Sequence, residues 1–314
     1  MISKNEKIVI TGAAGLVGQN LILYLRDNGY KNIIALDKQK DNLNILKKLN
    51  PSITTVHADL AEHGPWGNIF ENCQIAILLH SQITGLYYED FVKNNILATE
   101  NVLTVIKQFQ VSYIIHISSS VVNSIAKDFY TTSKEQQEKI ILESGISCCV
   151  LRPTLMFGWF DPKHLGWLSR FMEKTPLFPI PGHGKYIRQP LYSRDFCKII
   201  AAAIEKKPTN KIYDIVGQEK ITYIDVIKSI KKAKKLKTLI VKIPYAAFYL
   251  LLKCYALINE NPPFTPDQLK ALTAGDYFTG VDTQKVFGVS MTPLSKAIEE
   301  TFTHPVYSQV VLGR

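Results

Sequence analysis

The sequence is poor in cysteine, and none of its cysteines is arranged for metal binding or disulfide formation. The five cysteines are odd in number, and neither a CxxC pair nor a Cys/His pair has metal-ligand spacing. The N-terminal residues run directly into a strand-like pattern, without the apolar core of a signal peptide. We therefore expect reduced thiols, a cytoplasmic location and no metal site.

Long hydrophobic runs are also missing from the chain. The longest apolar stretch, residues 245–258, is interrupted by Lys253 and is too short to cross a bilayer comfortably. The net charge is +10, but the densest lysine run, residues 228–237, lacks the aromatic residues and arginines that read bases. We expect no transmembrane segment and no nucleic-acid partner. Two interpretations remain open for these segments: ordinary core and solvated helix faces, or a peripheral contact with a membrane surface.

Short apolar runs alternate with helix-length segments such as 95–108 and 133–143. The apolar runs cover residues 7–11, 33–36, 54–57, 75–80, 113–118 and 148–151. Such alternation is typical of βαβ units, in which a parallel sheet is buried on both faces. The pattern predicts an α/β fold with a Rossmann-like, doubly wound parallel sheet.

The pattern changes after residue 153, where proline, glycine and aromatic residues become frequent. A further strand-like run at 211–216 and a helical stretch at 222–234 indicate a late return to the sheet. We predict a dinucleotide-binding domain over residues 1–155, to which residues 190–217 return. A smaller substrate-binding region is predicted over residues 156–189 and 218–314.

Three glycines at intervals of three, Gly12, Gly15 and Gly18, lie between the first predicted strand and helix. Without side chains there, the backbone can turn tightly and a pyrophosphate can approach the positive end of the helix dipole. The predicted second strand ends at Asp37, whose carboxylate can bind the adenosine ribose hydroxyls and repel a 2′-phosphate. The pattern therefore predicts NAD rather than NADP, a preference that the adjacent Lys38 weakens.

The third predicted strand is followed by Asp59 and Leu60, and an acid at that position can reach the adenine amino group. The predicted cofactor contacts along this part of the chain are Gly12, Gly15, Leu16, Val17, Gly18, Asp37, Lys38, Asp59 and Leu60.

Tyr130 and Lys134 are four residues apart, which places both side chains on one face of a helix. A nearby ammonium group lowers the pKa of a phenol from about 10, so that tyrosine can act as an acid or base. Residues 118–120 are serines that follow the fifth predicted strand, at the sheet edge where ligands bind. This constellation predicts proton transfer at a substrate oxygen.

At this point the sequence resembles the extended short-chain dehydrogenase/reductase family, and more narrowly its NAD-dependent nucleotide-sugar epimerase/dehydratase branch. The resemblance covers nearly the whole chain. Its motifs are TGAAGLVG from Thr11, NNILATENVL from Asn94, ISSS from Ile117, YTTSK from Tyr130, LRPTLMFG from Leu151 and RQPLYSRD from Arg188. The resemblance implies oxidation and reduction at a sugar carbon of a nucleotide-activated sugar, by a 4-epimerase or a 4-keto reductase.

The resemblance also implies the roles of the catalytic residues. Tyr130 would transfer the proton, and Lys134 would bind the nicotinamide ribose and lower the pKa of the phenol. Ser119 would polarise the substrate, with Ser120 as the alternative because the serine run allows a shift of one residue. Pro153 would contact the nicotinamide carboxamide.

On the substrate side, the resemblance places Arg188 at the diphosphate of the nucleotide sugar and Thr154 among the substrate contacts. A guanidinium suits a diphosphate because it offers two charge-assisted hydrogen bonds. No arginine occurs between Arg194 and Arg314, so a second diphosphate-binding arginine is missing from the C-terminal part.

Other departures from the family pattern narrow the expected reaction. Dehydratases of the family carry Asp-Glu after the strand-end hydroxyl residue, whereas Ser120 and Val121 follow here, so dehydration is not expected. Ser81 and Gln82 replace small residues after His80, which alters the pocket beside the nicotinamide. The alternatives are a dehydrogenase of a lipid-like or other alcohol, and a non-catalytic NAD-binding subunit. A homodimer is compatible with either reading.

Overall fold

A computed structural model describes residues 3–125, 127–258, 266–273 and 277–313 of the chain. Its strands are β1 (Ile8–Thr11), β2 (Ile33–Asp37), β3 (Thr54–His57), β4 (Ile75–Leu78), β5 (Tyr113–Ile117), β6 (Cys148–Pro153), β7 (Met156–Phe157), β8 (Leu177–Pro181), β9 (Ile187–Arg188), β10 (Leu191–Tyr192), β11 (Lys211–Ile215), β12 (Ile221–Thr222) and β13 (Leu239–Ile243).

The helices are α1 (Leu16–Asp27), α2 (Lys40–Leu49), α3 (Tyr88–Phe91), α4 (Ala98–Gln108), α5 (Phe129–Leu142), α6 (His164–Lys174), α7 (Ser193–Lys206), α8 (Tyr223–Ala233), α9 (Tyr245–Ile258), α10 (Pro266–Thr273), α11 (Thr283–Phe287) and α12 (Leu294–Thr303). A π-helical segment, Val92–Leu97, joins α3 to α4. Short 3₁₀ turns cover Pro65–Phe70, Ser120–Asn123 and Tyr307–Gln309.

Seven strands form the central sheet, in the order β11-β6-β5-β4-β1-β2-β3. Every neighbouring pair is parallel. The order reverses between β1 and β4, which creates the crevice where dinucleotides bind in such sheets. The predicted Rossmann-like, doubly wound fold is confirmed.

The two faces of the sheet are buried in separate hydrophobic clusters. On β5, Tyr113 and Ile115 pack on the side of α1 and α7, whereas Ile114 packs on the side of α4. Strands covered on both faces are apolar at every position rather than at alternate ones. That arrangement explains the continuous apolar runs in the sequence.

The predicted helix over 133–143 begins earlier, at Phe129, because the Asp128 carboxylate accepts a hydrogen bond from the Thr131 amide at 2.7 Å. This cap satisfies an amide that has no acceptor within the helix. The earlier start places Tyr130 in the first turn of α5. The fourth and fifth strands end at Leu78 and Ile117, whereas the predicted ends were residues 80 and 118.

The rest of the chain forms short two-stranded sheets and helices around a third hydrophobic cluster. β10 pairs with β7, β12 with β9 and β13 with β8. The cluster includes Phe178 of β8, Ile227 of α8 and Ile298 of α12. β11 leaves this region and pairs with β6 at the edge of the large sheet. Within the described ranges, no helix is long and apolar enough to cross a membrane.

Candidate active site

The turn between β1 and α1 requires glycine at two positions for steric reasons. Gly12 has φ +65°, and a Cβ there would lie 2.5 Å from the His80 amide nitrogen. A Cβ on Gly18 would lie 2.3 Å from the Ala13 carbonyl oxygen, so α1 and the turn approach closely. At Gly15 a Cβ would meet only the Gly12 oxygen, at 3.5 Å. The first amides of α1 have no intrahelical acceptor, and this open turn therefore suits a pyrophosphate.

The Asp37 carboxylate is fixed beside the glycine turn at the end of β2. It accepts hydrogen bonds from the Ala14 amide at 2.9 Å and from the Gln39 amide at 2.8 Å, one on each oxygen. Burial raises the pKa of this carboxyl, although the amide hydrogen bonds and Lys38 partly oppose that rise. Each oxygen keeps a free lone pair for a ribose hydroxyl. These residues fit the adenosine end of NAD.

The two other residues predicted near the adenosine already have partners. The Lys38 ammonium donates to Asn94 Oδ1 at 2.5 Å. One oxygen of Asp59 accepts from the Ala61 amide at 3.0 Å, and the other lies 3.6 Å from Lys93 Nζ. The Lys38 ammonium was expected to weaken the preference for NAD over NADP, but it points toward Asn94 instead.

Lys134 is buried one helical turn after Tyr130, with 1% of its surface exposed. Its ammonium donates to the Ile117 carbonyl at 2.9 Å, where β5 ends, and to the Gln137 side-chain oxygen. Burial lowers the pKa of Lys134 to about 7, and Glu138 opposes the shift. Two of its three donors are used, so the third is available for a nicotinamide ribose hydroxyl.

The environment of the Tyr130 phenol differs from the sequence expectation. Burial raises its pKa, while the hydroxyls of Ser119 and Ser81 favour the ionised form and lower it. The sequence assigned a lowering of this pKa to Lys134, whereas in the structure the lowering comes from the two serine hydroxyls, and burial outweighs it. Ser81 was not among the predicted site residues. The only signal for it was its position directly after His80, at the same sheet edge as Ser119.

Behind the catalytic pair lies a buried polar network centred on His80. The Thr99 hydroxyl donates to the Asn95 carbonyl at 2.6 Å and accepts from Gln137 Nε2 at 2.8 Å. Its remaining lone pair faces His80 Nε2 at 2.9 Å, so this nitrogen carries the proton. His80 Nδ1 then accepts from the Thr11 hydroxyl at 2.7 Å. The network connects β1 and the residues after β4 to Gln137, and through it to Lys134.

A buried ion pair fixes the next turn of α5 to the sheet. Arg152 of β6 donates from Nε to Glu138 at 3.0 Å and contacts its second oxygen through a further nitrogen. Asp214 of β11 lies 3.9 Å from the same guanidinium. The pair holds α5 against β6 and β11. Sequence reasoning missed it because its members are distant along the chain.

Three further residues predicted for the site, Pro153, Ser120 and Thr154, lie at or near the carboxyl ends of β5 and β6. Pro153 is the last residue of β6, and Ser120 is buried in the 3₁₀ turn after Ser119. The Thr154 hydroxyl donates to the Gln189 carbonyl at 2.9 Å and accepts from the Gly217 amide at 3.2 Å. The main chain uses its one donor and one of its two lone pairs, which favours a structural role over the predicted substrate contact.

Arg188 lies in the C-terminal region, on β9, where it pairs with Ile221 of β12. Its guanidinium donates to the Leu272 carbonyl in α10. It also lies close enough to the buried Tyr223 to oppose the rise in pKa that burial causes. The structure therefore holds Arg188 through polar contacts between β9 and α10.

Comparison with known proteins places this geometry in context. Residues 8–216 match the family described as "NAD dependent epimerase/dehydratase family". That match covers more than half of the chain and includes the glycine turn, Tyr130 and Lys134.

The chain belongs to this family.

Among the relatives, a dTDP-D-glucose 4,6-dehydratase of Dictyostelium discoideum is 26% identical, over 72% of this chain and 61% of its own length. The mitochondrial NADH dehydrogenase [ubiquinone] 1 alpha subcomplex subunit 9 of the same organism is 24% identical, over 92% of this chain and 82% of its own. A solved UDP-glucose 4-epimerase of Thermotoga maritima with UDP-glucose superposes with a TM-score of 0.75. It is 18% identical, over 94% of this chain and 97% of the epimerase.

The family match confirms the predicted family, an NAD-dependent enzyme and its NAD cofactor, and the likeness to solved structures confirms the predicted fold. The residue assignments remain predictions, as do the domain boundaries, the homodimer and the identity of the sugar.

Proposed function

We propose that the protein oxidises and reduces C4 of a nucleotide-activated sugar, as a 4-epimerase or a 4-keto reductase. The observation that carries this proposal is the convergence of Tyr130, Ser119 and Lys134 on the edge of the sheet that also holds the glycine turn. NAD supplies the hydride acceptor or donor there when bound. The protein's own task is to position the sugar and to move one proton.

In this proposal Ser119 donates a hydrogen bond to the sugar oxygen, and Tyr130 exchanges the proton on that oxygen. The raised pKa of Tyr130 favours the protonated phenol, which is the form that gives a proton to a keto oxygen. Ser81 adds a second hydroxyl beside the phenol. This arrangement suits reduction of a 4-keto sugar at least as well as oxidation of a 4-hydroxyl.

Dehydration requires a further acid and base to remove water from the sugar. The residues after Ser119 are Ser120, Val121 and Val122, and they form a 3₁₀ turn that contributes no carboxyl group. Dehydratases are among the relatives, so the absence of an Asp-Glu pair at this turn is the reason for proposing epimerisation or reduction instead.

When substrate binds, the Arg188 guanidinium would release the Leu272 carbonyl and bind the substrate's diphosphate. We expect UDP, dTDP or GDP to bind the wild-type protein in isothermal titration calorimetry. Arg188→Lys should weaken that binding, because an ammonium loses the two-pronged geometry, and Arg188→Ala should weaken it further, by roughly 1.5–3 kcal/mol. The affinity for NAD should be nearly unchanged in both variants.

Two results would count against this assignment. One is that none of the three nucleotides binds, and the other is that the Arg188 variants bind them as tightly as the wild type. In either case a dehydrogenase of a lipid-like alcohol becomes the better description. Release of the cofactor separates the two proposed reactions: a reductase releases oxidised NAD in each turnover, whereas an epimerase retains its cofactor.

A non-catalytic NAD-binding subunit is the second candidate, because one relative is a subunit of a mitochondrial NADH dehydrogenase. The presence of Tyr130, Lys134 and Ser119 at one site argues for catalysis. If the protein is catalytic, a nucleotide sugar should transiently reduce the bound NAD. Measuring absorbance at the NADH band would therefore decide between the two candidates.

A further inference from the structure

Helix α9 is apolar along its length but contributes no buried side chain among those described. Its sequence is YAAFYLLLKCYALI, with Lys253 as the only charged residue. Leu250 is 62% exposed, Leu251 58% and Leu257 87%. Monomeric soluble proteins rarely expose a contiguous apolar patch of this kind unless it is an interaction site.

The strand before α9 also exposes apolar side chains. β13 pairs with β8 so that Phe178 and Ile180 turn into the core with Ile240 beside them. The opposite side of the ribbon carries Leu177 and its cross-strand partner Leu239, which are 51% and 62% exposed. Val241, two residues further along β13, is 41% exposed.

The segment that contains most of α8 and all of β13 and α9 is rich in lysine and has no acidic residue. Residues 226–258 contain eight lysines and neither aspartate nor glutamate. Lys228, Lys231, Lys232 and Lys235 line a shallow hollow that reaches β13 at Ile240. Lys228 pairs with Asp225 of its own helix at 3.2 Å and Lys234 with Glu173. In the described ranges no carboxylate pairs with Lys231, Lys232 or Lys235.

We propose that this face, formed by α8, β13 and α9 and here called the lysine-leucine face, docks on an anionic lipid membrane. Apolar side chains that enter the acyl boundary, combined with lysines at the headgroups, are the two attractions that hold proteins at such surfaces. The 14 residues of α9 span about 21 Å, less than the roughly 30 Å hydrocarbon core, so the helix lies along the surface.

A second copy of the chain fits this face less well than lipid does. A symmetric contact would bring the lysines of both copies toward each other without an acidic residue in the segment to neutralise them. Anionic headgroups supply the missing charge. The lysines also make the docking sensitive to salt, since exposed charges are screened within about 10 Å at 0.1 M ionic strength.

The test is flotation of the full chain with phosphatidylcholine vesicles and with vesicles that also contain phosphatidylglycerol. We expect at least about tenfold stronger binding to the anionic vesicles, and a loss of that binding as salt is raised. Equal binding to both vesicle types, or no binding to either, would overturn the proposal.

Two variants locate the surface. Lys231→Glu/Lys232→Glu/Lys235→Glu should abolish binding to anionic vesicles. The matched control reverses three exposed lysines on α2 and α4, Lys40→Glu/Lys48→Glu/Lys107→Glu, and should retain most of it. If the control loses as much binding as the test variant, net charge rather than this face is responsible and the proposal fails.

The apolar part of the face is tested by Leu250→Ser/Leu251→Ser, which should also abolish vesicle binding while leaving the affinity for NAD unchanged. Because both leucines are exposed, this variant should fold normally, and its thermal unfolding checks that. If the substitution instead converts an oligomer to a monomer in sedimentation velocity and vesicle binding persists, the face joins copies of the chain.

Discussion

The large sheet and the C-terminal region use the same residue types under different constraints. Leu21 of α1 is fully buried between the helix and the sheet, whereas Leu250 of α9 is 62% exposed. Lys134 is buried against a carbonyl and an amide, whereas Lys232 faces solvent. These side chains of the large sheet and its helices are held by internal contacts, whereas their counterparts in the C-terminal region face solvent.

The sharpest test of this difference is a pair of identical substitutions, one in each region. Tyr130→Phe should lower turnover of a nucleotide sugar by roughly 10²–10⁴, the usual contribution of a positioned acid or base, with little change in NAD affinity. Tyr245→Phe in α9 should leave turnover unchanged. Comparable losses in both variants would show that the phenol of Tyr130 has no special role.

A second pair compares packing. Leu21→Ala should reduce the free energy of unfolding by about 2–5 kcal/mol, because it leaves a cavity between α1 and the sheet. Leu250→Ala should change it by no more than about 0.5 kcal/mol, since the side chain is exposed. Urea denaturation of both variants measures the difference. A large loss at Leu250 would mean that α9 is part of the core in solution.

The His80 network predicts a pH dependence. Burial, with Lys134 nearby, lowers the pKa of His80 to about 3 in the folded chain. The unfolded chain takes up a proton near pH 6.5 and the folded chain does not, so stability is lost as the pH falls from 6.5 toward 3. The loss should be about 2 kcal/mol per such histidine between about pH 7.5 and 5.

Urea midpoints measured across that pH range test this expectation. His80→Gln should reduce the dependence by the share of one histidine, since burial also lowers the pKa of His116, whereas His183→Gln, at an exposed position of the C-terminal region, should leave it as in wild type. The expectation fails if the wild-type midpoint does not move between neutral and mildly acidic pH.

The smallest expected effect separates the two binding functions. Asp37→Ala should narrow the preference for NAD over NADP by roughly tenfold, because it removes hydrogen bonds to the ribose and repulsion of a 2′-phosphate. Its affinity for a nucleoside diphosphate should stay at the wild-type value. Fluorescence titration with both cofactors checks this, and a wild-type protein that prefers NADP would contradict the assignment of Asp37.

Prediction from sequence succeeded where a local spacing determines the geometry. Gly12 is required locally by its φ of +65°, and Gly18 by its close approach to Ala13 within the same βα turn. Tyr130 and Lys134 share a helix face because they are four residues apart. In both cases, the residues that must meet lie within one or two turns of each other, so the pattern alone constrains them.

The contacts that sequence reasoning missed join distant segments. Ser81 lies after β4 and acts on the Tyr130 phenol, Gln137 joins Lys134 to Thr99, and Arg152 reaches Glu138 from β6. Periodicity identifies such polar residues only as exceptions to an apolar pattern. It does not state which of them face each other.

The sequence by itself determined the alternation of strands and helices, the glycine turn and the helical spacing of the catalytic pair, because backbone sterics and periodicity act over short distances. Only the tertiary structure decided the direction of the pKa shift of Tyr130 and the partner of Arg188. It also decided that the leucines of α9 are exposed. These properties depend on desolvation and on neighbours that folding brings together. The sequence of an apolar helix does not show whether the helix faces the core or the solvent.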